Sequence, residues 1–212
     1  MRFPLLLVSL AGALALAGCA LDDDGPRTAQ ARDVAPFTRV DNRDSVDVRL
    51  HVGEPRRVRV RAGEKVIDDV RTEVRDGTLR VTFSHHGWGN GDVEIDAWVP
   101  ELDGITVGGS GNVDADGLDA DALDVRSDGS GDVELAGAVR TLALDLDGSG
   151  GADLSGLAAQ EARVQVSGSG DADLRAERRL DVRVDGSGDV RYAGRPELSQ
   201  QVDGSGDVRR AD

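Results

Sequence analysis

The tripeptide Gly-Ser-Gly begins at residues 109, 129, 148, 168, 186 and 204, at intervals of 20, 19, 20, 18 and 18. A repeat of this length constrains the fold more than any other feature, because one unit is too short to bury its own apolar face. Before the glycines lies an alternating stretch, such as "LDVRS", "LALDLD", "ARVQVS" or "LDVRVD". After them lies a shorter one, such as "NVDA", "DVEL", "GADL", "DADL", "DVRY" or "DVRR". Period-two alternation is the strand signal. Two short strands and two turns per unit, stacked, describe one coil of a parallel β-helix with neighbouring coils about 4.8 Å apart. The twist of L-residue strands favours a right-handed winding. The fold class is therefore all-β: a right-handed parallel β-helix of ~18–20-residue coils over residues 105–212, preceded by a more irregular strand region.

Stacking in register places Val125, Leu144, Val164 and Val182 in one interior column. Leu135, Leu154, Leu174 and Tyr192 form a second. In the last unit, "LSQQVD" puts Gln200 in the first column and "DVRR" puts Arg210 in the second, which reads as a polar terminal cap. At each Gly-Ser-Gly the chain turns sharply between close neighbours, so the glycines are expected to supply positive φ and absence of bulk. A leucine-rich repeat of similar period would need a leucine-asparagine consensus, and none is present.

Residues 36–104 alternate as well, at Val46, Val48, Leu50 and Val52, at Leu79, Val81 and Phe83, and at Val93, Ile95, Ala97 and Val99. Asp76-Gly77 stands between two such runs, a strong hairpin signal because both residues tolerate positive φ. This region is expected to consist of paired strands with hairpin connections, within one domain spanning 36–212.

At the amino terminus, Leu5 to Ala17 is an apolar run of signal-peptide length, too short to span a bilayer as a helix. It closes on Leu16-Ala17-Gly18-Cys19, which resembles the bacterial lipobox. That resemblance implies cleavage after residue 18 and a lipid on the sulfur of Cys19, the only cysteine in the chain. A lone cysteine forms no internal disulfide, and lipidation removes a free thiol from an oxidising compartment. Ala20 following the cysteine resembles the outer-membrane sorting signal of Gram-negative lipoproteins. Residues 19–35 lack apolar periodicity and read as a flexible tether. Loss of residues 1–18 removes one positive charge, Arg2, and takes the net charge from −15 to −16. So acidic a chain is repelled by nucleic acid and by anionic head groups, which leaves the lipid as the means of membrane attachment.

Calcium is the sharpest chemical alternative. Asp128, Asp147, Asp185 and Asp203 recur immediately before the glycines, with Ser167 interrupting the column. A second column, Asn112, Asp132, Gly151, Asp171, Asp189 and Asp207, follows them. "DLDGSG" at 145–150 begins like an EF-hand loop, but position 12 is Gly156, where a bidentate glutamate is required. Carboxylates about 5 Å apart in water repel by only about 0.9 kcal/mol, so a solvated column needs no metal. These aspartates are read as turn residues, with no metal and no cofactor expected.

His51, His85 and His86 are the only imidazoles, and no third ligand at transition-metal spacing accompanies them. His85, His86 and Trp88 share the glycine-rich "SHHGWGNGD", read as a hairpin tip. Trp98 lies on the strand face opposite Ile95 and Val99 and is assigned to packing. No serine has a nucleophile-elbow context. Aromatics make up 3% of the chain, too few for the sugar platforms of a polysaccharide-cleaving β-helix, so no enzyme is expected.

"PFTRVDN" at 36–42, "RRVRVRAGEKVIDDVRTEVRDGTLRVTF" at 56–83, "VEIDAWVPELDGITVGGSGNVDA" at 93–115 and the later "GSGDV" units together resemble the bacterial putative autotransporter-adhesin head GIN domain. The resemblance implies a right-handed β-helical fold on an exported, often lipid-anchored protein, and carries no catalytic residues. The expected role is a non-enzymatic envelope lipoprotein presenting a binding or structural surface to an envelope or surface partner. The alternative is a calcium-dependent or glycan-binding adhesin module.

Overall fold

The computed structural model describes residues 24–84 and 92–211. Their fifteen strands are β1 Arg27–Arg32, β2 Arg39–Asn42, β3 Asp47–Val52, β4 Arg57–Gly63, β5 Val70–Arg75, β6 Thr78–Phe83, β7 Glu94–Val99, β8 Gly104–Val107, β9 Val113–Ser127, β10 Val133–Leu146, β11 Ala152–Val166, β12 Ala172–Val184, β13 Val190–Ala193, β14 Glu197–Val202 and β15 Val208–Arg210. No α-helix occurs among the described residues; a single 3-10 turn covers Ile67–Asp69.

The strands form two ladders that share β9 to β12. One runs β1, β4, β7, β3, the opening segments of β9 to β12, then β13 and β15. The other runs β5, β6, β2, β8, the closing segments of β9 to β12, then β14. Each of the four long strands thus turns within itself, and the register shifts at the bend, as between Leu135 and Gly137 of β10. The result is a β-solenoid of about five turns.

Alternation fixes what faces inward. Val125, Leu144, Val164 and Val182 are successive partners in register, each at most 4% exposed. The column extends towards the amino terminus through Ile105, Val40 and Leu79. In the other ladder Leu154 pairs with Leu174 and Leu174 with Tyr192, while Leu135 pairs with Ala115. Each buried Leu or Val contributes about 1.5–3 kcal/mol, and stacking makes the contribution cumulative, since every coil covers the one before it.

Three expectations are corrected. The first concerns Gly-Ser-Gly. Positive φ occurs at Gly25, Gly53, Gly77, Gly117, Gly137 and Gly194 and at Asp76, and at no glycine of the six tripeptides. What those glycines supply is proximity: a Cβ on Gly148 would overlap the carbonyl oxygen of Gly129, and one on Gly170 that of Gly150. The seryl N–H donates to the first glycine of the preceding unit, Ser149 to Gly129 at 3.0 Å and Ser187 to Gly168 at 2.9 Å.

The second concerns residues 36–104. Among the described residues, only β5 and β6 form a local hairpin, through Asp76 (φ 50°) and Gly77 (φ 72°). Strands β2 and β3 lie parallel to β6, β8, β7 and β9, so coil stacking begins near residue 39. Alternation marks a strand but carries no information on the direction of its partner. The third concerns the tether. Arg27–Arg32 is no free linker but pairs antiparallel with β4 as the edge of the sheet. Its alternating exposed and half-buried residues give too weak an apolar signal to be seen in sequence.

Candidate functional site

Every unit places the same offsets on the same outer line. The fifth residue after each tripeptide start gives Asp114, Glu134, Asp153, Asp173, Arg191 and Arg209. These are consecutive ladder partners, and Arg49 precedes Asp114. The outer face of the first ladder is thus a strip of four carboxylates bounded by arginines at both ends. Arg191 reaches Asp173 at 3.2 Å and Asp171 at 3.4 Å. Partial burial, with Asp47 nearby, raises the pKa of Asp114, and Arg49 opposes the shift. The Ser155 hydroxyl and N–H hold Asp153 below the usual carboxylate range.

Beside this strip runs a ladder of side chains that composition alone does not reveal. Asp47 Oδ1 accepts from the N–H of Asn112 at 2.9 Å, and Asn112 Oδ1 from Asp132 at 2.9 Å. Asp132 Oδ1 then accepts from Gly151 at 2.7 Å, Asp171 Oδ1 from Asp189 at 2.8 Å, and Asp189 Oδ1 from Asp207 at 2.9 Å. The column of residues following the glycines therefore stitches one coil to the next. Gly151 has no side chain to offer Asp171, and a shallow groove opens there between Asp132 and Asp171. The bond from Asp207, with Arg209 and Arg191 near, lowers the pKa of Asp189. The signal for this ladder was present in the fixed offset of three residues after each tripeptide start, occupied by Asn or Asp in five of six units.

The proposed calcium candidates sit elsewhere. Asp128, Asp147, Asp185 and Asp203 stand exposed at the entry to the bends. Arg183 donates to Asp185 at 2.7 Å and to Asp203 at 3.3 Å, and that bond lowers the pKa of Asp185. Among the described residues, no group of three or more His, Cys, Asp or Glu side chains is arranged to hold a metal ion. Negative charge is concentrated in the middle of the stack: residues 108–174 carry 14 carboxylates against 3 arginines, and residues 175–211 carry 7 against 8.

His51 and Trp98 are ladder partners and stack at 5.0 Å. The Arg57 guanidinium lies 3.8 Å from the Trp98 ring centroid, and His51 Nδ1 lies 3.1 Å from Asp116. Trp98 thus packs between a cation and an imidazole on the outer face. Cys19, His85, His86 and Trp88 lie outside the described residues.

Parallel coils, close-stacked glycine bends and exposed side-chain rows define the chain as a β-solenoid. Residues 36–196 match the family described as putative auto-transporter adhesin, head GIN domain, and the chain belongs to that family. Among solved structures, a putative adhesin from Bacteroides fragilis shares 21% identity over 88% of this chain and 97% of its own, with a TM-score of 0.71. A putative adhesin from Parabacteroides merdae shares 17% over 89% and 97%, with a TM-score of 0.58. A putative lipid binding protein from Parabacteroides distasonis shares 21% over 89% and 98%, with a TM-score of 0.57. These likenesses show the fold. No curated protein matches the chain in sequence.

Proposed function

We propose that this protein is a non-enzymatic, lipid-anchored module of the cell envelope, tethered through Cys19 to the outer membrane of a Gram-negative bacterium. In this role it presents the outer face of its solenoid as an adhesin-like binding surface. The observation that carries the reading is the membership of residues 36–196 in a family described as adhesin heads. The rigid row Asp114, Glu134, Asp153 and Asp173 supports it by supplying fixed, evenly spaced groups to an extended partner. A module of this kind needs rigidity more than a cleft, and ladder-stacked coils supply it. Binding without calcium is the favoured form, because Asp185 and Asp203 already share Arg183 as a partner.

The test is protease shaving of intact cells, with Cys19→Ser beside the parent. The parent chain is expected to fractionate with the outer membrane and to be cut from outside. The Cys19→Ser chain is expected to accumulate uncleaved or to leave the membrane fraction. A parent protected from protease until the outer membrane is opened would defeat the surface-facing role. Unchanged processing and fractionation of Cys19→Ser would defeat the anchor.

A further inference from the structure

The two ends of the solenoid are finished differently. At the amino-terminal end, β1 and β5 run antiparallel to their neighbours, and the 3-10 turn buries Ile67 beside Val66 and Val70. At the other end, β14 pairs, among the described residues, only with β12, and all six of its residues are exposed. Its side chains at Leu198, Gln200 and Val202 continue the interior columns of Leu180, Val182 and Val184. Leu198 and Val202, at 37% and 40%, are the exposed large hydrophobics among the described residues. An edge of this kind is a template for another strand.

The edge is self-complementary. Around Gln200 the order Leu198, Ser199, Gln200, Gln201, Val202 has the same polarity in both directions. In an antiparallel pair centred on Gln200, each apolar residue would face an apolar one, Ser199 would face Gln201, and the two Gln200 amides would meet. Glu197 would face Asp203, a like-charge pair whose members are each paired with an arginine of their own copy, Arg179 and Arg183. A two-fold interface has this property by definition, since residue i contacts j and j contacts i. We propose that a second copy of this chain covers β14, tail to tail, with the two β14 strands antiparallel and the dyad at Gln200. Such a pairing takes up the free edge of β14 in both copies, so it stops at two. Gln200 accordingly sets register at the dyad, where a third apolar residue would permit slippage.

Cysteine crosslinking tests the register in the full chain carrying Cys19→Ala, so that the introduced thiols are the only ones. Residues facing across an antiparallel pair lie about 4.5–5.5 Å apart, within disulfide reach. Gln200→Cys is expected to oxidise to a dimer at least tenfold more readily than Arg163→Cys, an exposed position away from the edge. Leu198→Cys alone should crosslink poorly, because the two copies of residue 198 would stand about 13 Å apart along the strands. Leu198→Cys combined with Val202→Cys should restore the Gln200→Cys yield. In detergent, light scattering should report a protein dimer that becomes a monomer in Leu198→Lys with Val202→Lys. A monomeric parent at tens of micromolar overturns the proposal. So does a Gln200→Cys yield equal to that of Arg163→Cys or of Leu198→Cys, as a collisional contact or a different strand partner would give.

Discussion

The two bends of a coil use glycine for different reasons. At the Gly-Ser-Gly bend no glycine has positive φ, yet from the second unit onward each would drive a Cβ into the matching carbonyl one coil below. Eight residues after the tripeptide start, the second bend contains Gly117 at φ 73°, Gly137 at φ 139° and Gly194 at φ 105°, a region that L side chains avoid. Gly156, at the same offset, has an ordinary backbone, and its Cβ would meet that of Ala136 at 3.2 Å. The repeated tripeptide therefore sets the distance between coils, whereas the second bend sets the direction of the chain. The first demand returns in every unit because every unit has a neighbour beneath it. The second is met differently from coil to coil, and at this offset the fourth unit carries Ala176.

The strongest way to break this distinction is to add a side chain at each bend. Gly170→Val places branched bulk against the Gly150 carbonyl, with coils on both sides. Backbone cannot yield there without parting the stack, so a loss of about 3 kcal/mol or more is expected. Gly156→Ala asks that Ala136, at 3.2 Å, and the Leu135 carbonyl oxygen, at 3.3 Å, give way by a few tenths of an ångström. Its cost should stay under about 1 kcal/mol. Equilibrium denaturation of both variants measures the contrast. Equal losses would mean that the two bends are under the same constraint.

A smaller effect sharpens the same comparison on the exit side of the bend. Asp132→Ala removes the acceptor for the Gly151 N–H and should cost about 1 kcal/mol, the net value of one such bond. Gly151→Asn does the reverse. A Cβ there meets only Asp132 Oδ1 at 3.5 Å and the Asp171 carbonyl at 3.6 Å, ordinary contacts, and φ is not positive. The new amide oxygen can take the Asp171 N–H and complete the ladder. Reduced freedom of the unfolded chain adds to this, for a gain of about 0.5–1 kcal/mol. A destabilised Gly151→Asn would show that the interruption is built in and not a missing rung.

These variants also show which parts of the molecule the sequence exposes. The coil period, the Asp76-Gly77 hairpin and the inward column of Val125, Leu144, Val164 and Val182 are readable because each repeats a local rule. The job of the glycines is not, because a Cβ clash with a residue about 19 positions away leaves no local trace. The partner of β1 is hidden for the same reason. Its register with β4 spans 26 to 36 residues, and its half-buried face, Thr28, Gln30 and Arg32, is polar. The outer row at Asp114, Glu134, Asp153 and Asp173 was legible from its fixed offset, but its bounding by Arg49 required knowing that β3 stacks on β9.

The smallest expected effect separates the strand entering the Gly-Ser-Gly bend from the turn leaving it. On entry, Asp145 has a buried Oδ1 without a hydrogen-bond partner. Burial raises its pKa above the ordinary value of 3.8; Asp147 and Asp124 add to this and Arg126 opposes it. On exit, the Asp207 N–H and the nearby Arg209 and Arg191 lower the pKa of Asp189. The two shifts act on stability with opposite sign. The charged form of Asp145 is disfavoured by folding, so its penalty is fully present above the raised folded value. That penalty disappears as pH falls from there to the unfolded value near 3.8. The charged form of Asp189 is favoured by folding, so its contribution is present above the unfolded value and is lost as pH falls through the lowered folded one. Asp145→Asn should therefore stabilise at neutral pH, with a gain that shrinks on acidification across the range between the raised pKa and about 3.8. Asp189→Asn keeps the oxygen that accepts from Asp207 and loses only the charge, so it should destabilise slightly at neutral pH. That loss should fade only below the ordinary carboxylate range. Thermal unfolding of both variants and the parent from pH 7 to pH 3 separates the two curves. A gain for Asp145→Asn that does not change with pH would show that the substitution acts through packing, and that entry and exit do not differ in charge.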